Sequence, residues 1–183
     1  MKEVSVKMTI QKNNKFMIFI FLCITNLFVS GTLLAKTQHI NLEPATDVSF
    51  SGETIAVKVI YNVTDAKNKT SGIGIRIHFN SKFIENISIS DVYGEGMIGQ
   101  HYTPQMDTKN LDGDINTDKF IIIAWASITQ NWPVFLDMPG QLAVLNVKIS
   151  ATAPNGETDI KVTTSSHAAG YAFDSKPARL LIQ

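Results

Sequence analysis

The sequence predicts an all-β protein, a two-sheet jelly-roll β-sandwich of about nine strands that follows a signal peptide helix. The clearest strand lies at residues 72–79, in which every second residue is apolar: Ile73, Ile75, Ile77 and Phe79. Such alternation turns apolar side chains to one face of a sheet and polar ones to the other. Beyond residue 35, no window of about 11 residues has a convincing helical period. Short strands separated by turn residues are typical of sandwiches and jelly rolls.

The first 35 residues have the composition of an export signal. Four lysines, at positions 2, 7, 12 and 15, precede an apolar run at residues 16–35 whose second half contains several polar residues. We expect this segment to be a signal peptide cleaved between Thr32 and Lys36 rather than a retained anchor, with Met1 or Met8 as the start. The protein is therefore expected to be exported, either secreted outside the cell or held at the cell envelope.

Residues 36–183 are expected to form one domain, because 148 residues are enough for one sizeable core. This part contains 12 basic and 15 acidic residues, which gives a formal net charge of −3. A net negative charge disfavours nucleic acid or an anionic membrane as the partner. The single cysteine, Cys23, belongs to the leader, so the domain must be stabilised by its apolar core without disulfides.

Within this domain, alternation and turn residues predict the strands in order along the chain. A first short strand ends at Pro44, and a second ends in a polar loop that begins at Asp65. The strand at 120–128 is apolar on both faces, which is typical of a central strand. The glycine-rich loop at 94–118 is long enough to be functional or to hide a short strand. The predicted strands are residues 40–42, 55–62, 72–79, 87–92, 120–128, 142–149, 158–164 and 178–182.

The chain has no recognisable catalytic motif. Its four histidines are scattered, and it contains no His-Glu-x-x-His, no Gly-x-Ser-x-Gly and no pair of cysteines. We therefore expect a protein without enzymatic activity. The strand at 72–79 should instead present a polar, cationic row to solvent, and Arg76 and His78 in this row are candidate ligand-binding residues.

Two tryptophans, Trp125 and Trp132, offer a second candidate binding surface, because sugar rings stack on exposed indole faces. An exposed pair at the end of the 120–128 strand would indicate carbohydrate binding. The alternative, which we favour, is that Trp125 packs in the core and that Trp132 with Pro133 fastens the following loop.

The 94–118 loop also contains a cluster of oxygen-bearing side chains of the kind that bind calcium, with Asp107, Asp112 and Asp114 as the candidate ligands. Their spacing fails the EF-hand register, because counting back from Gly113 at the sixth position puts Thr108 at the first position, where an aspartate should stand. A tight turn at Asp112-Gly113 explains the same residues, since this dipeptide favours positive φ. We expect the turn and no cofactor, with calcium as the weaker alternative.

Several motifs along the chain occur in an order found in one family. The stretch Gly72-Ile-Gly-Ile-Arg-Ile-His-Phe-Asn-Ser-Lys-Phe, followed by the strand at 87–92, is similar to the early cohesin signature. The later motifs are Asp112-Gly113-Asp114-Ile115, Ala124-Trp125-Ala126, residues 139–145 and residues 155–160. Together they resemble cohesins over residues 38–183. The segment at 119–133 is most similar to cohesin-like modules of secreted bacterial proteins outside cellulosomes.

The resemblance implies a jelly-roll sandwich of about nine strands, in a structural superfamily shared with carbohydrate-binding modules. Cohesins hold dockerins through one face of a sheet, although no contact residues carry over one by one. The implied function is a secreted, non-catalytic recognition module that binds a protein, dockerin-type or another extracellular protein, in a surface or polysaccharide-processing assembly. A polysaccharide is the alternative ligand. Nucleic acid is not expected as a partner, and a membrane would be contacted only if the N-terminal segment stays uncleaved.

Overall fold

The structure, a computed structural model, describes residues 36–65 and 69–183, and the predicted signal peptide lies outside these residues. The described part of the chain contains eleven strands. In chain order they are β1 (Lys36–Pro44), β2 (Val48–Ser49), β3 (Thr54–Val63), β4 (Gly72–Phe79), β5 (Ile84–Ser90), β6 (Met97–Met106), β7 (Lys119–Ala126), β8 (Gly140–Ile149), β9 (Gly156–His167), β10 (Tyr171–Lys176) and β11 (Ala178–Ile182).

The strands form two sheets that pack face to face. The five-stranded sheet has the order β10-β1-β3-β8-β5, and the six-stranded sheet has the order β2-β11-β9-β4-β7-β6. Two edge pairs, β1 with β10 and β11 with β2, are parallel. Every regular element of the described residues is a strand, so the predicted all-β sandwich is confirmed. Nowhere in this described part is there a helix with the length and apolar character needed to cross a membrane.

The core lies between the two sheets and is built from the alternating apolar residues. In β4, the side chains of Ile73, Ile75 and Ile77 are at most 1% exposed. They join Val57 and Val59 of β3, in the other sheet, in one buried cluster. Burying each such side chain stabilises the fold by about 1.5–3 kcal/mol. The inward face of β4 that the alternation predicts is therefore confirmed.

Three strands differ from the sequence prediction. β6 lies within the 94–118 loop, so this loop hides a strand, and the strand has ten residues rather than a few. Its Gly99 and Pro104 lower the strand propensity, and its pairing with β7 is interrupted by two register shifts. The pattern also misses β2, which has two residues, and β10, an edge strand that is half-buried or exposed along its whole length.

Candidate functional site

The polar row of β4 is not the solvent-facing row that the alternation predicts. Arg76 and His78 lie on the outer face of the six-stranded sheet, but His78 is fully buried and Arg76 is half-buried. The cover comes from residues 107–118 between β6 and β7, termed here the covering loop. In this loop, Asp107 Oδ2 lies 3.1 Å from His78 Nδ1. The prediction that His78 is exposed is wrong, because periodicity does not report a loop that folds over a sheet.

His78 is enclosed by neighbouring strands as well as by the covering loop. Its Nε2 atom lies 2.8 Å from the hydroxyl of Thr163 on β9. Its ring packs against Phe120 of β7, with the ring centroids 5.5 Å apart. Burial lowers the pKa of His78, against the opposing influence of the Asp112 and Asp107 carboxylates.

The Nδ1 atom of His78 makes no hydrogen bond, although a carboxylate is close. Its 3.1 Å distance to Asp107 Oδ2 is within ion-pair range, but a hydrogen on Nδ1 does not meet that oxygen in hydrogen-bond geometry. The direction of the N–H bond matters more here than the distance between Nδ1 and Oδ2, because hydrogen bonds weaken steeply when the N–H does not point at the acceptor. Nδ1 is thus a buried polar atom without a hydrogen-bond partner, which is uncommon in folded proteins.

The two carboxylates of the covering loop that face His78 are held by hydrogen bonds within the loop. Both carboxylate oxygens of Asp107 accept from the backbone N–H of Leu111, at 3.1 and 3.0 Å. Asp112 accepts from the backbone N–H of Asp114 at 3.1 Å and from the hydroxyl of Thr117. These bonds fix the side-chain directions of both aspartates.

The three predicted calcium ligands do not all lie together in the structure. Asp107 and Asp112 lie together beside His78, whereas Asp114 turns away and forms an ion pair with Lys161 of β9. The hydrogen bond from Lys161 lowers the pKa of Asp114. Gly113 has a φ of 74°, which is consistent with the tight turn predicted at Asp112-Gly113.

One donor atom from each of His78, Asp107 and Asp112 lies within 4.8 Å of the other two. Sequence reasoning found the two aspartates and missed the histidine as their neighbour. The position of His78 beside the aspartates follows from the pairing of β4 with β7. In this pairing His78 stands opposite Phe120, and the covering loop ends just before Phe120. β4 and β7 are not consecutive in the chain, so their adjacency is not visible in the sequence.

Both tryptophans are buried, as the favoured alternative predicts for Trp125. Trp125 and Trp132 are 2% and 1% exposed, with ring centroids 6.1 Å apart. The indole N–H of Trp125 donates to the Tyr93 carbonyl, and that of Trp132 donates to the Glu95 carbonyl. The backbone of Trp132 also pairs with Thr70. The exposed pair that would indicate carbohydrate binding is therefore not formed, because both rings pack in the core.

A second part of the outer face lies along the pairing of β4 with β7. Across β4 and β7, Arg76 pairs with Ile122 and Gly74 pairs with Ala124. The Nη1 group of Arg76 donates to the Thr164 carbonyl of β9 at 2.9 Å, which holds the guanidinium along the sheet. The side chains of Arg76, Ile122 and Ala124, all half-buried, are termed here the outer patch.

Comparison with known proteins relates this architecture to one fold. No family model and no curated protein matches the chain. A type I cohesin–dockerin complex of OlpA from Clostridium thermocellum matches with 15% identity and a TM-score of 0.51, over 80% of this chain and 99% of that one. The third ScaC cohesin of Acetivibrio cellulolyticus, solved with a ScaB dockerin, matches with 11% identity and a TM-score of 0.51, over 79% and 98%. CaCohA2 from Clostridium acetobutylicum matches with 16% identity and a TM-score of 0.50, over 79% and 91%.

These likenesses identify the fold of the domain. At such low identity they show the fold alone, and the fold is that of cohesins. The cohesin-like jelly-roll sandwich implied by the sequence motifs is therefore confirmed.

Proposed function

We propose that this chain is an exported, non-catalytic recognition module that binds a protein partner of the dockerin type through its outer patch. The observation that carries the proposal is the partly exposed Arg76 beside the aliphatic Ile122 and Ala124 on the outer face of the six-stranded sheet. Two of the three solved structures described above contain a dockerin, and this chain shares their fold. Export rests on the leader-like composition of residues 1–35.

The chemistry of the outer patch suits another protein better than a small molecule. Arginine is enriched at protein interfaces, and the buried centre of an interface is more apolar than its rim. A guanidinium has five N–H donors, and the bond from Arg76 to the Thr164 carbonyl uses only part of this capacity. Arg76 therefore has donors to offer to carbonyl or carboxylate oxygens of a partner.

A polysaccharide ligand has less support. Carbohydrate binding through stacking needs an exposed aromatic ring face, and Trp125 and Trp132 are buried. Binding of a glycan is therefore treated as an outcome of the test below and not as a second proposal.

The test measures binding of one defined partner to matched variants. The protein is used to capture proteins from the culture supernatant of its source, and mass spectrometry identifies a captured protein that carries a dockerin segment. The affinity of that purified partner is then measured by calorimetry for the wild type and for Arg76→Glu. We expect Arg76→Glu to weaken binding by about tenfold or more, because it reverses the charge at the patch without touching the core face of β4.

The matched control is Lys58→Glu on β3, an exposed residue of the other sheet. This variant makes the same change of charge away from the outer patch and should alter the affinity by less than about twofold. Equal losses in both variants would contradict binding through the outer patch. Affinity electrophoresis in soluble glycans provides the second arm, and retardation of the protein together with failure to bind any dockerin would favour the carbohydrate alternative.

A further inference from the structure

We propose that His78, Asp107 and Asp112 form a binding site for one divalent transition-metal ion, with Zn²⁺ as the ion that fits best. The site lies where the covering loop crosses the outer face of β4. The donor atoms of the three residues lie within 4.8 Å of one another. Small side-chain rotations bring donors at this spacing to the separation of about 3–4 Å that an ion bound at about 2 Å from each ligand requires.

The buried imidazole is independent evidence for a ligand at this point. When Nε2 of His78 donates its hydrogen to the Thr163 hydroxyl, at 2.8 Å, the lone pair of Nδ1 is directed toward the loop carboxylates. A lone pair 3.1 Å from the Asp107 carboxylate oxygen is repelled by it. A cation that contacts both atoms turns this repulsion into coordination and gives the unpaired nitrogen a partner.

The charge at the site favours a cation as well. The side chain of Asp107 is fully buried, and Asp112 approaches the same imidazole. Buried carboxylates are costly unless a positive charge offsets them. Arg76 is a nearby cation, but its Nη1 group donates to the Thr164 carbonyl instead of to these carboxylates. A divalent ion held by both aspartates supplies the missing positive charge.

The donor set distinguishes among metals. Calcium prefers six to eight oxygen ligands, whereas imidazole nitrogen together with carboxylates suits zinc and other first-row transition metals. Three protein ligands is the number found in zinc sites that keep one open position. Each proposed ligand is also oriented by a hydrogen bond with a neighbouring residue. Thr163 orients His78, and Leu111 and Thr117 orient the two carboxylates. Such outer contacts are typical of metal ligands.

The test uses the purified full chain after removal of metal with a chelator. Zn²⁺ is titrated by calorimetry, and Co²⁺ is titrated by visible absorption, which reports the coordination number and geometry of the bound ion. We expect one ion per chain, micromolar or tighter binding, and a melting temperature that rises with Zn²⁺ concentration. His78→Gln and Asp107→Asn should abolish binding. Asn at position 107 keeps an oxygen that accepts from the Leu111 N–H, so this variant should retain the loop.

The matched control is His39→Gln. His39 Nδ1 lies 3.2 Å from Asp174 Oδ2, a similar pair at a more exposed place, and the described residues offer no third ligand there. His39→Gln should bind Zn²⁺ like the wild type. If His78→Gln does not fold, Asp112→Asn takes its place. Failure of the folded wild type to bind Zn²⁺, unchanged binding in a folded His78, Asp107 or Asp112 variant, or a preference for Ca²⁺ over Zn²⁺ would each overturn the proposal.

Discussion

Ile75, at the middle of β4, shows how the core constrains single residues. Its side chain is completely buried, and it pairs with Ile123 of β7 and Thr164 of β9. A carboxylate at this position would be buried among apolar side chains. We expect Ile75→Asp to cost several kcal/mol, a large part of the roughly 5–15 kcal/mol that stabilises a typical domain. Circular dichroism and urea unfolding should show a protein that is unfolded or close to unfolding.

The neighbouring position provides the control for this prediction. Arg76 is half-buried on the opposite face of the same strand, so Arg76→Glu should fold and melt near the wild type. A soluble Ile75→Asp protein that melts within a few degrees of the wild type would mean that the register of β4 is wrong.

His78 shows why residue-scale reasoning identifies a face but not its surroundings. Alternation along β4 correctly assigns His78 to the side opposite Ile77. Whether that side meets water depends on Asp107, which lies 29 positions further along the chain and touches the imidazole only after the sheet has formed. Trp125 is the reverse case. The sequence already favoured a place in the core for it, and the structure agrees.

Among the elements, the covering loop depends on contacts at its two ends. Its base is closed by a backbone hydrogen bond from the Asp107 N–H to the Asp118 carbonyl, at 2.8 Å. The Asp118 carboxylate accepts from the backbone N–H and the hydroxyl of Ser81, in the turn after β4, at 2.7 and 2.6 Å. Partial burial alone would raise the pKa of Asp118, but the bonds from Ser81 outweigh it and hold the pKa below its ordinary value of 3.8.

This shift predicts a dependence of stability on pH. A carboxyl group with a lowered pKa in the folded state stabilises the fold above its unfolded pKa, and this contribution disappears as the pH falls through the folded value. Urea unfolding of the wild type and of Ser81→Ala should therefore differ most near neutral pH and converge in acid below the ordinary pKa of 3.8. Ser88→Ala, an exposed serine of β5, serves as the control. A difference between wild type and Ser81→Ala that is constant with pH would contradict the role of Asp118.

The elements that the sequence predicts are those with local signals. β3, β4 and β8 carry a regular apolar alternation, which depends only on neighbouring positions. β6 contains Gly99 and Pro104, and it is held as an edge strand by its pairing with β7. Such a strand forms because a neighbouring strand is available for pairing, and the local sequence pattern does not predict that neighbour.

At the scale of the whole molecule, residues 171–182 contribute one strand to each of the two sheets. β10 pairs with β1 at the edge of the five-stranded sheet, and β11 pairs with β9 and β2 in the six-stranded sheet. The chain crosses from one sheet to the other at Pro177, between two consecutive strands. The sandwich is therefore complete only when the last strand has joined, although the alternation of β11 is visible in the sequence by itself.

This closure leads to a prediction for a shortened chain. Removal of residues 178–183 takes away the buried side chains of Ala178, Leu180 and Ile182. The leucine and isoleucine alone contribute about 3–6 kcal/mol at roughly 1.5–3 kcal/mol each, and the loss also leaves the edge of β9 unpaired. Because this is comparable with the total stability of about 5–15 kcal/mol, we expect the shortened chain to be unfolded or aggregated.

The measurement compares the shortened chain with Leu181→Ala in the full chain, by circular dichroism and urea unfolding. Leu181 is 37% exposed and points away from the core, so its truncation should cost less than about 1 kcal/mol. A shortened chain that unfolds cooperatively at the urea midpoint of the wild type would show that β11 adds little. In that case the remaining strands of this sheet would be stable with β9 at the edge, and the pairing of β11 would not be needed to hold the sandwich together.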